Sequence, residues 1–141
     1  MSNSSKKRIT FFITGMASLL MGAMIYLLFR PTVIFAQCID DEKWVLFLRQ
    51  LLSWLDLTVV KFHLVDYLWA LSLSCGLHLI FCPDLKGSLF CTLTVALYGG
   101  LFELLQSLGV ISGTGDWFDI LGYILAGITV NILNSLRRWE L

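Results

Sequence analysis

Carboxylate and amide side chains interrupt the apolar segments of this chain, and such groups are uncommon where a helix meets lipid. A charge at the centre of a bilayer costs about 2.5–3.5 kcal/mol on insertion scales, so these residues normally face the interior of a helix bundle. There they can bind a ligand, hold a cation or satisfy one another. The candidate ligand-binding residues are Asp66, Glu103, Gln106, Asp116, Asp119 and Tyr123.

The candidate acids are expected to lie at one level although they come from different segments. Asp66 and Asp119 each stand near the beginning of an apolar segment, while Glu103 lies well along another that starts near Gly87. At helical rise, Glu103 is roughly 24 Å from Gly87. Because consecutive spans run antiparallel, all three acids fall in the outer half of the membrane. The sequence therefore predicts an acidic pocket that opens outward.

The spacing of polar and small residues also places them on inward-facing stripes. Glu103 and Gln106 share a helical face, and Gly99 lies one turn below, where it permits close helix approach. His78, at the other end of the bundle, is expected to meet lipid headgroups. Two further stripes at four-residue spacing are Asp119, Tyr123, Gly127 and Asn131, and Asp66, Ala70, Ser74 and His78.

Structural roles compete with binding roles for the same residues. Asp116 followed by Asp119 has the spacing of a capping box at the start of a helix. Asp66 would be favoured by the helix dipole in a first turn. Glu103 has no such terminal position, and Gln106 could serve only to satisfy it. The sequence leaves both kinds of role open.

Composition decides the class of protein that these residues belong to. The chain has 141 residues, of which 57% are apolar and 14% are charged. Soluble domains average about 25% charged residues. Ten Lys and Arg balance ten Asp and Glu, so no net field favours polyanions. An ordinary soluble enzyme, a disordered tail and a nucleic-acid-binding protein are excluded, and residues 1–141 are expected to form a single membrane domain.

Hydrophobic segments of spanning length predict an all-α integral membrane protein. Four transmembrane helices are expected, because an isolated strand cannot satisfy its backbone in lipid. Between the first two spans, charges recur on one face of an apolar stretch, which predicts an amphipathic helix in the outer interface. The predicted spans are 9–29, 64–82, 87–108 and 117–136, and the predicted interfacial helix is 42–56.

The distribution of Lys and Arg predicts that both termini are cytoplasmic. Basic residues cluster at the chain ends and near Lys86, and the four remaining basic residues are spread over one long connection. This bias follows the positive-inside rule, with the first segment retained as a signal anchor. The basic residues assigned to the cytoplasmic side are Lys6, Lys7, Arg8, Lys86, Arg137 and Arg138.

The sequence predicts no metal and no cofactor. Its four cysteines include no CxxC pair, and no histidine lies at zinc-ligand spacing. The run from Ser112 to Gly115 contains two glycines but lacks the lysine of a phosphate-binding loop. No HExxH motif or recognisable Ser-His-Asp set is present.

Short motifs in the second half of the chain resemble those of the VanZ-like family. Glu103-Leu-Leu-Gln106 matches its E-x-x-Q pattern at the outer end of a span, and residues 113–122 (Gly-Thr-Gly-Asp-Trp-Phe-Asp-Ile-Leu-Gly) match the following loop and helix start. Tyr123 stands where the family commonly has Asn. The segment from Lys61 through His63 to Asp66 is similar to the stretch ahead of the family's second span.

The resemblance implies a cellular context rather than a reaction. VanZ-like proteins are small, multi-spanning bacterial membrane proteins associated with reduced susceptibility to glycopeptide antibiotics such as teicoplanin. It implies a bacterial plasma-membrane location, and the expected partners are membrane lipids together with a lipoglycopeptide or a lipid-linked wall precursor. A non-enzymatic binding protein is the first hypothesis. The alternatives are a metal-dependent enzyme acting on a phospholipid or polyprenyl phosphate, and an accessory subunit of a membrane complex.

Overall fold

A computed structural model describes residues 3–29, 43–52, 63–81, 84–111 and 115–136. Every regular element in these ranges is helical, as the sequence predicts. A helix is present over part of the segment predicted to be interfacial, and the expected ends of that segment at Glu42 and Asp56 lie outside the described residues. The five helices of these ranges are α1 (Asn3–Phe29), α2 (Lys43–Leu52), α3 (Val65–Phe81), α4 (Leu85–Ser107) and α5 (Trp117–Leu136).

Three helices are long and apolar enough to cross a membrane: α1, α4 and α5, over Ser5–Phe29, Lys86–Ser107 and Trp117–Leu136. Helix α3 is apolar but has only 17 residues. At helical rise it is roughly 25 Å long, which is less than the thickness of a typical hydrocarbon core. The structure thus provides three candidate spans by length and composition, together with a shorter apolar helix.

Helix α3 occupies the centre of the bundle. Helices α1, α4 and α5 all pack against it, α4 and α5 pack against each other, and α2 packs against α1. This central position explains why α3 buries residues on more than one side, whereas large apolar side chains on α1, α4 and α5 face outward. The buried residues of α3 are Val65, Leu68, Ala70, Leu71, Ser74, Cys75 and His78.

Glycines allow α4 and α5 to approach closely along the stripes that the sequence predicts. A Cβ atom at Gly99 would clash with the ring of Tyr123, and one at Gly127 would clash with Thr92. Without side chains at these positions, the Tyr123 ring lies directly against the α4 backbone. The small residues thereby bring the side chains of Glu103 and Tyr123 within hydrogen-bonding distance, and this contact determines the geometry of the site.

The turns around α4 follow recognised capping patterns. Asp84 caps its beginning, and its side chain accepts a 2.8 Å hydrogen bond from the backbone N–H of Gly87. At its end, Gly109 adopts a positive φ of 70°, and its N–H donates to the carbonyl of Gln106 at 2.9 Å. The N–H of Val110 donates to the carbonyl of Leu105, which completes a Schellman motif. This tight ending returns the chain toward the start of α5.

Arg49 fastens α2 to the end of α1. Its Nε and Nη2 atoms donate to the carbonyl oxygen of Leu27 at 3.3 and 2.7 Å. The last carbonyls of a helix lack intrahelical partners, and a guanidinium satisfies them well. The apolar side chains of Trp44, Phe47 and Leu51 remain exposed on α2. The polar face predicted for this helix therefore turns, at Arg49, toward α1.

Candidate functional site

Glu103 joins the end of α4 to the beginning of α5. Its side chain is only 6% exposed. Oε2 accepts a hydrogen bond from the backbone N–H of Asp116 at 2.8 Å, and Oε1 accepts one from the Tyr123 hydroxyl at 3.1 Å. Both donors belong to the next helix and its cap, so the buried carboxylate acts as a bracket between the two elements.

Asp116 caps α5, as one of the two sequence interpretations predicts. Its Oδ1 atom accepts a 2.9 Å hydrogen bond from the N–H of Phe118. In a capping box, the acid three residues later would accept the N–H of the capping residue. Here Glu103 accepts that N–H instead, and Asp119 uses its carboxylate elsewhere. The capping-box interpretation is therefore wrong for Asp119.

Asp119 pairs with His63, a residue that the sequence analysis did not include among the site residues. His63 Nδ1 and Asp119 Oδ1 are 2.8 Å apart, and the His63 ring packs against Phe118 with 5.8 Å between ring centroids. Ligand atoms of His63, Asp116 and Asp119 all lie within 4.8 Å of one another, a set that could hold a metal ion. The sequence gives little sign of this group, because His63 and Asp119 are 56 residues apart.

A cleft of about 550 Å³ opens between α1, α3, α4 and α5. Among the predicted site residues, only Asp66 and Tyr123 line it. Its walls are otherwise mainly aromatic and aliphatic, as is usual for sites that bind small apolar molecules. The lining residues are Tyr26, Asp66, Trp69, Ala70, Leu73, Val95, Tyr98, Gly99, Phe102 and Tyr123.

The predicted acids do not share one pocket. Glu103 and Asp116 line a separate cavity of about 50 Å³ between α4 and α5. Gln106 lines neither cavity, and within the described ranges its side chain forms no hydrogen bond, so the idea that it satisfies Glu103 is wrong. The acids are near one end of the bundle, but they are divided between the cleft, the bracket and the His63 pair.

A buried polar network at the opposite end of the bundle was not predicted. His78 is 2% exposed rather than in contact with headgroups. Its Nδ1 donates to the carbonyl of Ser74 at 2.8 Å, and its Nε2 is 2.6 Å from Ser88 Oγ. Ser88 also contacts the side-chain amide of Asn131, whose Nδ2 donates to Thr92 Oγ1 at 2.6 Å.

The His78–Ser88 pair lacks the hydrogen-bond order of a catalytic dyad. A histidine that activates a serine must accept the proton of the hydroxyl, whereas the Ser88 hydroxyl donates to the side-chain oxygen of Asn131. Ser88 is also fully buried and lines none of the cavities described above. The network connects α3, α4 and α5.

Comparison of the chain with protein-family models, with curated proteins and with solved structures gives no match. The VanZ-like resemblance therefore depends on the short motifs alone.

Proposed function

We propose that this chain is a VanZ-like bacterial envelope protein whose cleft binds an amphipathic ligand, and that it thereby lowers susceptibility to glycopeptide antibiotics such as teicoplanin. The observation that carries the proposal is the cleft of about 550 Å³, which has apolar walls and a carboxylate at one end. Such a site accepts an apolar tail between helices and a polar group at Asp66. The resemblance of Glu103-Leu-Leu-Gln106 and residues 113–122 supports the cellular context.

The membrane arrangement that goes with this function has four spans, cytoplasmic termini and α2 in the outer interface. Its support is the packing of α3 along α1. Phe11 contacts His78 near one end of the pair, and Tyr26 contacts Trp69 near the other, with ring centroids 5.3 and 6.0 Å apart. Helix α3 therefore runs antiparallel beside α1 for roughly 14 Å at helical rise. In the proposed arrangement it crosses the membrane next to this candidate span, and the bilayer thins locally to match its shorter apolar length.

Filling the cleft tests the proposal. Leu73 lines the cleft and is 43% exposed, so Leu73→Trp adds bulk to the cavity with little change to the core. Leu93→Trp is the matched control, because Leu93 is 55% exposed on α4 and does not line the cleft. At equal membrane levels, we expect Leu73→Trp to abolish the decrease in teicoplanin susceptibility and Leu93→Trp to preserve it. Equal susceptibility of both variants and the wild type would refute the binding role of the cleft.

A second candidate function is metal-dependent chemistry on a lipid phosphate, and the cluster of His63, Asp116 and Asp119 is the observation that favours it. Calorimetric titration of the purified protein with Mg²⁺, Mn²⁺ and Zn²⁺ distinguishes it from the first. Saturable binding that disappears in Asp119→Asn, together with release of phosphate from a polyprenyl phosphate, would establish the enzyme. Absence of metal binding in the wild type would eliminate it.

A further inference from the structure

Ligand groups from two different helices converge at one end of the bundle. His63 lies just before α3, Asp116 caps α5, and Asp119 belongs to the first turn of α5. One ligand atom from each residue lies within 4.8 Å of the others. Around an ion with bonds of about 2.0–2.2 Å, tetrahedral ligand atoms are about 3.4 Å apart. All three side chains are half-buried, so torsions at their surface can close the remaining distance.

The three side chains keep lone pairs that the described part of the protein does not use. His63 contacts Asp119 through Nδ1, and its Nε2 forms no hydrogen bond within the described residues. Asp119 uses Oδ1 for that contact, and Asp116 uses Oδ1 to accept the N–H of Phe118. Among the same residues neither Oδ2 atom accepts a hydrogen bond, so each carboxylate can still coordinate an ion.

The electrostatics of this group favour a divalent cation. The two carboxylates carry a charge of −2, and the start of α5 offsets only about 0.5 of it through the helix dipole. The side chains of His63 and Asp119 are 32% and 13% exposed, so a charge placed between them is partly desolvated. Attraction between a cation and these carboxylates is therefore stronger than it would be in bulk water.

His63 determines the class of metal. Imidazole nitrogen suits zinc and other late first-row metals, whereas Mg²⁺ and Ca²⁺ take oxygen ligands. One histidine nitrogen and two carboxylate oxygens are ligand types that zinc accepts. The group therefore fits an ion of the zinc class better than Mg²⁺.

We propose that His63, Asp116 and Asp119 bind an ion of the zinc class, and that this ion joins the start of α3 to the start of α5. Because the Asp116 N–H already donates to Glu103 near the end of α4, the ion and the bracket together connect three helices. The inference goes beyond the cleft and its ligand. It shares its residues with the second candidate function but requires no reaction.

Thermal unfolding of the metal-depleted protein tests the ion and its class. The full chain is purified in a neutral maltoside detergent without a histidine tag, treated with EDTA, and given Zn²⁺ or Mg²⁺. An ion that binds only the folded protein stabilises it by mass action, so saturating Zn²⁺ should raise the unfolding temperature by about 5 °C or more. Mg²⁺ should raise it by less than about 1 °C. Equal shifts with the two ions would overturn ligation by His63, and no shift with either would overturn the site.

Two variants identify the ligands. In His63→Asn the side-chain amide can still donate to Asp119, but its nitrogen has no lone pair for a metal. We expect His63→Asn and Asp119→Asn to lose the Zn²⁺ shift. Asp84→Asn is the matched control, since Asp84 caps α4 at the opposite end of the bundle and should keep the full shift. A full Zn²⁺ shift in His63→Asn would overturn the proposed ligand set.

A spectroscopic measurement on the wild type does not depend on how the variants fold. Co²⁺ added to the metal-depleted protein should give the intense visible absorption of a tetrahedral site, and Zn²⁺ should displace it. The weak absorption of an octahedral ion with oxygen ligands would overturn ligation by His63.

The outcomes separate this inference from the proposed function. If Zn²⁺ stabilises the protein while Leu73→Trp behaves as the wild type, the cleft proposal fails alone. If Leu73→Trp abolishes the phenotype and Zn²⁺ has no effect, the metal inference fails alone. Zn²⁺-dependent release of phosphate from a polyprenyl phosphate would overturn the purely structural role and assign the ion to the second candidate function.

Discussion

At the scale of single residues, Glu103 illustrates how a costly buried acid is accommodated by its neighbours. Its two oxygens accept the Asp116 N–H and the Tyr123 hydroxyl, and both contacts connect α4 to α5. Since Glu103 does not line the large cleft, its carboxylate serves assembly of the site more directly than ligand contact.

Substitutions at Glu103 should therefore show whether stability depends on its hydrogen bonds or on its negative charge. In Glu103→Gln the amide oxygen can still accept the Asp116 N–H and the amide nitrogen can donate to the Tyr123 oxygen, so we expect near wild-type thermal stability. Glu103→Ala leaves two buried donors without partners and should lower the free energy of unfolding by about 1–3 kcal/mol or more. Thermal unfolding in detergent measures both, with Tyr123→Phe as an intermediate case. Equal stability of Glu103→Ala and the wild type would contradict the bracket.

Ser88 provides a second test at this scale. Removing its hydroxyl leaves His78 Nε2 and the Asn131 amide without a shared partner inside the bundle. We expect Ser88→Ala to lower the free energy of unfolding by about 1–3 kcal/mol. Ser107→Ala is the control, because the exposed Ser107 hydroxyl donates, among the described residues, only to the carbonyl of Leu104 within its own helix. Equal unfolding temperatures for the two variants would show that the network adds no stability.

Residue spacing predicted part of this site and could not predict the rest. The four-residue spacing of Asp119, Tyr123 and Gly127 correctly predicted an inward face of α5, because helical periodicity is local. On that face Tyr123 and Gly127 meet α4, and Asp119 meets His63. The pairing of His63 with Asp119 depends instead on how α3 and α5 cross, and no local pattern encodes that. The bond from the Asp116 N–H to Glu103, in place of the expected bond to Asp119, also joins two helices and is not encoded in a local pattern.

At the scale of elements, helix limits were predicted more closely than helix contacts. The last predicted span, 117–136, has the bounds of α5. Helix α1, which contains the first predicted span, 9–29, begins earlier, at Asn3, because the basic residues before the apolar run continue the helix. Amphipathic spacing indicated α2 but not its attachment through Arg49. Attachment depends on where α1 ends in space, and that is a tertiary feature.

Arg49 makes the attachment of α2 testable. Arg49→Ala removes the two hydrogen bonds to the Leu27 carbonyl, so α2 should separate from the end of α1. We expect faster amide hydrogen exchange over residues 43–52 and unchanged exchange in the core of α3. The exposed Lys43 offers the control Lys43→Ala. Unchanged exchange in Arg49→Ala would show that α2 is held by its apolar contacts alone.

At the scale of the whole molecule, the number of spans depends on α3. Length and composition qualify α1, α4 and α5 as candidate spans, while α3 is short. Its ring contacts with α1, from His78 against Phe11 to Trp69 against Tyr26, place it beside a candidate span. In the proposed arrangement it crosses the membrane there as the fourth span. Hydropathy alone could not give this argument, because it evaluates each segment separately from its neighbours.

Parity provides the sharpest test of the membrane arrangement. With four spans the two termini lie on one side of the membrane, and with three they lie on opposite sides.

In a background with the four native cysteines replaced by serine, single cysteines are placed at Asn3, Lys86, Val110 and Glu140. A membrane-impermeant maleimide added to intact cells should label only Val110→Cys, which is exposed at the end of the bundle that carries the acids. The other three should react only after permeabilisation, because Lys86 lies at the opposite end of α4 and the proposed arrangement places the basic termini on the cytoplasmic side. Leu93→Cys, within the apolar surface of α4, should react in neither condition. Labelling of Asn3→Cys and Glu140→Cys from opposite sides would mean an odd number of spans and would contradict the four-span arrangement.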